Sequence, residues 1–115
     1  MTHNSRWGRR RSQRVTLSMP IMVSEPHENH RDTMERTHTL AVNRYGGLIA
    51  LRSSVHRGQC LLMTNTVSRV SKECRVVYLG LNHQDKRLVG IEFVGPVTDF
   101  WNISFPDPGA RPFLE

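Results

Sequence analysis

The sequence predicts an all-β protein: a six-stranded antiparallel β-barrel behind a flexible arginine-rich N-terminal tail, with at most one short helical turn near the C-terminus. Three observations predict it. Apolar residues recur with a two-residue period in several short segments, which sets one face of each against a core. Clusters of Gly, Asn and Pro divide those segments at short intervals, and no long helical periodicity lies between them. A succession of short strands leaves edges exposed, and closure into a barrel removes them. A chain of 115 residues holds one such domain.

The elements follow in order. Val15, Leu17, Met19, Ile21 and Val23 alternate with Thr16, Ser18, Pro20, Met22 and Ser24, the pattern of one strand with a single buried face. Pro20 falls on the outward parity and has no N–H to give to a ladder, which suggests a strand edge or bulge at this point rather than a central position. Residues 25–35 are charged and rich in histidine, open with Pro26, and read as a loop or as a strand continuation masked by its polarity. Residues 37–43 form the second strand, with His38, Leu40 and Val42 on one face. Gly46 and Gly47 read as a tight reversal into a third strand at 48–52. Residues 59–63, 74–79 and 88–94 are the fourth, fifth and sixth strands, divided by turn signals at Arg57-Gly58, Thr64-Asn65 and 82–86. Residues 98–101, after Pro96, are placed to start one helical turn, while Pro106, Pro108 and Pro112 forbid a long helix beyond it. The predicted organisation is a tail over 1–8, a barrel domain over 9–105 and a C-terminal tail over 106–115.

Charge is distributed unevenly. The formal net charge is +6, and of the 16 Lys and Arg residues five (Arg6, Arg9, Arg10, Arg11 and Arg14) lie in residues 1–24, which hold no acid. The remaining 11 stand against 10 acids, so the body of the protein is close to neutral. An arginine cluster beside an ordered domain suits a phosphate-bearing partner, because the guanidinium fork matches phosphate oxygens; a solvated tail is the plainer reading. No apolar run approaches the roughly 18 residues of a membrane span, and no apolar stretch of signal-peptide type follows the arginines. Cys60 and Cys74 lie in apolar stretches without CxxC spacing, which leaves a disulfide open and favours buried free thiols in a reducing compartment. A cytoplasmic protein is expected.

Catalysis finds little support. No GxSxG elbow is present, and the carboxylates are scattered. Glu92 lies in a strand opposite Val89, Ile91 and Phe93, on the expected exterior. No enzymatic role is expected. His27 and His30 in a polar loop lack the third and fourth ligands that zinc needs, so no metal is expected. His38 reads as a core or rim histidine. Tyr45 and Trp7 have faces on which a base can stack, although packing on the barrel is the plainer reading for Tyr45.

The strongest constellation is Arg10-Arg11-Ser12-Gln13-Arg14, directly ahead of the first strand. Arginine pairs with phosphate and donates twice to the O6 and N7 edge of guanine. This RxxxR, a strand ending in a [DN]xSxxG-type turn, and a six-stranded barrel together resemble the PilZ domain family. The resemblance spans residues 9–105, including Gly90-Ile91-Glu92-Phe93 and the 100–105 stretch. It implies a bacterial receptor for the second messenger cyclic di-GMP, with no enzymatic activity and no further cofactor. By position, the implied ligand residues are Arg10 and Arg14 from the first motif, with Asn43 at the serine position and Gly46 at the final glycine of the second. Ala41 stands where the family has an acid or amide, and its side chain forms no hydrogen bond.

The resemblance therefore implies a receptor in which cyclic di-GMP orders the arginine segment against the barrel and alters the surface offered to a protein partner. The alternative is a PilZ-like fold that binds no nucleotide and serves as a protein-interaction module. Binding of single-stranded nucleic acid is a third reading, disfavoured because the body lacks a continuous basic groove.

Overall fold

The computed structural model describes residues 14–26, 34–95, 99–103 and 105. Among them lie seven strands and no helix: β1 (Val15–Thr16), β2 (Pro20–Ser24), β3 (Glu35–Asn43), β4 (Gly46–Leu51), β5 (Cys60–Asn65), β6 (Ser71–His83) and β7 (Lys86–Phe93). Six of them, in the order β3-β2-β5-β6-β7-β4, close on themselves through β3–β4 pairing; every pair is antiparallel. The expected six-stranded barrel is therefore present, and β1 is a seventh strand added to it.

The seventh strand arises because the predicted first strand is interrupted. β1 and β2 run along the same edge of β3, Val15 opposite Val42 and Pro20 opposite His38, with residues 17–19 out of the ladder between them. Thr39 bridges the gap. Its backbone N–H donates to Met19 O at 3.0 Å, its hydroxyl accepts from Met19 N at 2.9 Å, and the same hydroxyl donates to Leu17 O. Pro20 is exposed at the resumed strand's first position, as its parity predicts.

Strand alternation places Ile21, Val23, Val42, Ile49, Leu51, Leu61, Met63, Val76, Val89, Ile91 and Phe93 inside, all at most 7% exposed. Each contributes roughly 1.5–3 kcal/mol through removal of apolar surface from water. Phe100 and Trp101, both 1% exposed, pack against Phe93 at one end of the barrel, with ring centroids 4.9–5.7 Å apart.

Several expectations are corrected. The reversal between β3 and β4 is Arg44-Tyr45, and Gly46 and Gly47 are already in strand β4. His38 does not share the buried face with Val42: a bulge at Leu40 shifts the parity of β3, so Thr37 and Thr39 point inward and His38 is exposed. Thr39 is there to bridge residues 17–19, and Thr37 donates its hydroxyl to Ala50 O at 2.7 Å, so hydroxyls occupy positions where an apolar pattern would have marked the core. The β5–β6 turn lies at 66–68 rather than Thr64-Asn65, and β6 runs well past its expected bounds in both directions. Among residues 99–101 no helical turn forms, with bends at Phe100 and Trp101, and residue 98 of the expected turn lies outside the described residues. Cys60 and Cys74 are both free; Cys74 points into the core opposite Leu61, and Cys60 pairs with Arg75 on the outer face.

Candidate functional site

Register decides where the motif residues lie. Val15 is opposite Val42 and Thr16 opposite Ala41, so continuing β1 by one residue sets Arg14 opposite Asn43. Asn43 is in turn opposite Gly46, Gly46 opposite Glu92, and Glu92 opposite Arg75. Arg14, Asn43, Gly46, Glu92 and Arg75 therefore form one cross-strand row. The adjacent row, Val15, Val42, Gly47 and Ile91, includes the fully buried Val42 and Ile91, which places the motif row on the outward face. With strands about 4.8 Å apart, Arg14, Asn43 and Gly46 fall within about 10 Å. Arg10, like Trp7, His27 and His30, lies outside the described residues.

The turn between β3 and β4 has a local cause. Neither Arg44 nor Tyr45 is among the residues with positive φ, which rules out the primed and type II turns and leaves the type I arrangement. Asn at the first position and Gly at the fourth are favoured there, and this chain has Asn43 and Gly46. Asn43 Oδ1 accepts from Tyr45 N at 2.8 Å, the Asx bond that lets a side chain initiate a turn. Asn43 is 7% exposed as a result, and its amide N–H groups are the part suited to an acceptor such as a phosphate oxygen.

Gly46 is demanded by the barrel itself. A Cβ built there would lie 1.9 Å from Ile91 O, in the backbone of β7. The glycine of the second motif thus has a packing reason that needs no ligand. Ala41, next to Thr16 and Leu48 on the outward parity, offers no polar group to the row.

Trp101 entered the sequence reading only as part of the 98–101 turn and the 100–105 stretch, with no role at the site. Its Nε1–H donates to Asn43 O at 2.9 Å and to Gly46 O at 3.1 Å, holding the turn from inside. Asn65, likewise, was read only as a turn residue. It is 1% exposed; its Oδ1 accepts from Val67 N and Ser68 N at 3.0 and 3.3 Å, and its Nδ2 donates to Phe100 O at 2.9 Å. The signal available for Trp101 was an aromatic pair shortly after the last strand, where a barrel end needs a plug.

Two displaced titrations lie away from the row. Burial raises the Glu35 carboxyl pKa, but hydrogen bonds from the Arg52 and Ser53 N–H groups and the Ser53 hydroxyl, with the charge of Lys86, outweigh it and leave the pKa below its ordinary value. Burial, with smaller contributions from Cys60 and Glu73, pushes the Cys74 thiol up to about 12. Glu35 also borders a depression of about 190 Å³ lined by Val23, Leu51, Ser53, Val55 and Leu61, at the barrel end opposite the motif row. Among the described residues no group of three or more His, Cys, Asp or Glu is placed to hold a metal.

No protein-family model matches the chain, and no curated protein does either.

Proposed function

We propose that the chain is a receptor module for cyclic di-GMP, engaged by the row of Arg14, Asn43 and Gly46 together with Arg10 from the segment ahead of β1. The observation that carries the reading is the register that sets Arg14 opposite Asn43, so that two motifs separated by some thirty residues of chain, about a barrel's hairpin apart, meet on one face. The row faces outward from the barrel, and a flat ligand laid on it needs a second wall. The arginine segment supplies one, with guanidinium groups for phosphate and for the guanine edge. Closing that segment over the ligand changes the surface available to a protein partner. The module binds and does no chemistry of its own, and its setting is the bacterial cytoplasm.

A second reading is favoured by Ala41, Asn43 and Gly46 together: the first has no polar side chain, and the other two already have duties in the turn and the barrel. On that reading the chain is a PilZ-like barrel that binds no nucleotide and recruits a protein.

Isothermal titration with cyclic di-GMP separates them. Saturable binding that is lost in both Arg10→Ala and Arg14→Ala supports the receptor. The absence of heat up to high micromolar ligand with the unaltered chain would remove it and leave the interaction module.

A further inference from the structure

The turn that carries Asn43 and Gly46 is held by a residue from beyond the last strand. Trp101 is 1% exposed, and its one N–H points at two carbonyls, Asn43 O at 2.9 Å and Gly46 O at 3.1 Å. These are the first and last residues of the turn. An indole has one donor and no acceptor, so when buried it takes a carbonyl partner; sharing that donor between both ends of one turn fixes their separation. The ring also lies against Gly47, where a Cβ would come within 3.1 Å of the indole Cζ2.

Two further contacts join the turn to the last residue of β7 and to the chain beyond it. Phe93 N donates to Tyr45 O at 2.8 Å, and Arg44 Nη2 makes a long contact of 3.5 Å with Phe105 O. Trp101 is itself anchored on its other side. It meets Phe100 edge-on at 4.9 Å, and Phe100 O accepts from the buried Asn65 at 2.9 Å. A displacement of the turn therefore cannot leave the chain after β7 undisturbed.

We infer that Trp101 is a positioning residue for the ligand row: it sets the spacing of Asn43 and Gly46 and transmits occupation of that row to the chain that follows β7. The inference deepens the receptor reading and rests on it. The face that a downstream partner senses then includes the region around Phe105, on the same side as Arg44.

The test uses the full chain carrying Trp7→Phe, so that Trp101 gives the one indole N–H signal in a nitrogen-15 spectrum. Without ligand, that N–H should exchange slowly with solvent. Trp101→Phe keeps an aromatic ring but deletes the donor, and it should speed exchange of the Tyr45 and Phe93 amides about 10-fold while Met63 and Val89 keep their rates. Added cyclic di-GMP should shift the Trp101 indole signal at the concentration that shifts the Asn43 and Gly46 amides. If Trp101→Phe fails to fold, exchange of the indole N–H in the Trp7→Phe chain decides the matter. A freely exchanging indole, unchanged turn amides in Trp101→Phe, or ligand shifts at Asn43 and Gly46 that bypass the indole would each overturn the inference. If cyclic di-GMP shifts nothing, the receptor reading falls, and with it the transmission of ligand occupancy; the exchange rates still report whether Trp101 holds the turn.

Discussion

Gly46→Ala is the sharpest probe of the barrel's closure. The added Cβ would sit 1.9 Å from Ile91 O and 2.9 Å from Ile91 C. A carbon–oxygen contact relaxes to about 3.3 Å, so β4 and β7 must part by about 1.4 Å at this point. The obstacle is backbone in a paired strand, with no flexible side-chain end to swing aside. Overpacking of this kind typically costs 1–3 kcal/mol, and a backbone obstacle belongs at the upper end, about 3 kcal/mol. For a domain of this length that lowers the melting temperature by roughly 12 °C. Gly58→Ala is the control: Gly58 has φ +88° and nothing within 4 Å of a built Cβ, so the substitution meets left-handed strain of about 1–2 kcal/mol and no clash. Thermal unfolding followed by circular dichroism, without ligand, should rank wild type above Gly58→Ala and Gly58→Ala above Gly46→Ala. A Gly46→Ala protein that melts within about 3 °C of wild type would refute the close approach of β4 and β7.

The depressed pKa of Glu35 means that its stabilising contribution is present above the unfolded value near 4.5 and is lost as pH falls through the lower folded value; Glu35→Gln should flatten that acid limb of a urea-midpoint-versus-pH curve. Cys74, fully buried with its thiol pushed up to about 12, should resist an aromatic disulfide reagent at pH 8 in the folded protein, while half-buried Cys60 reacts. The readout is one thiol per chain in buffer and two in denaturant, and two in buffer would contradict the burial of Cys74. Asn65→Ala should cost about 1–3 kcal/mol, since it leaves the buried Phe100 carbonyl unsatisfied and gives the exposed Val67 and Ser68 N–H groups back to water, and urea unfolding should show that loss as a lower midpoint with an unchanged slope.

Much of the barrel was legible because its core obeys the two-residue period. Ile21 and Val23, Leu61 and Met63, and Val89, Ile91 and Phe93 all alternate cleanly and all face inward. The misreadings occur where a polar residue carries an internal duty. Thr37 and Thr39 are buried for their hydroxyls, so hydropathy set the face of β3 one residue out and put His38 inside. The glycine pair drew the β3–β4 reversal two residues too late, because a glycine needed for close strand approach looks in sequence like a glycine needed for a turn. In the candidate site, the positions of Asn43 and Gly46 were legible and their neighbours across the sheet were not: which residue faces which depends on the break at 17–19, marked in sequence only by Pro20, and on the bulge at Leu40, which has no local signature.

The same geometry decides how much weight each motif position bears. Asn43 caps a type I turn and Gly46 makes room for Ile91, so this fold would select both residues with no ligand present. An Asn-x-x-Gly at this hairpin is therefore weak support for nucleotide binding. Ala41 has no comparable duty: it lies half-buried on the outer face between Thr16 and Leu48, so a polar residue there would report on ligand alone, and the chain has none. The weight of the receptor reading consequently falls on the arginines, of which β1 brings Arg14 opposite Asn43. Ala41→Asp tests that distribution directly. If the arginines suffice, cyclic di-GMP binds the unaltered chain and the new carboxylate tightens it by about 10- to 150-fold, the worth of one charge-assisted hydrogen bond. Binding that appears only in Ala41→Asp would show that the arginines cannot hold the ligand alone, and that the natural chain uses its barrel for a protein partner instead.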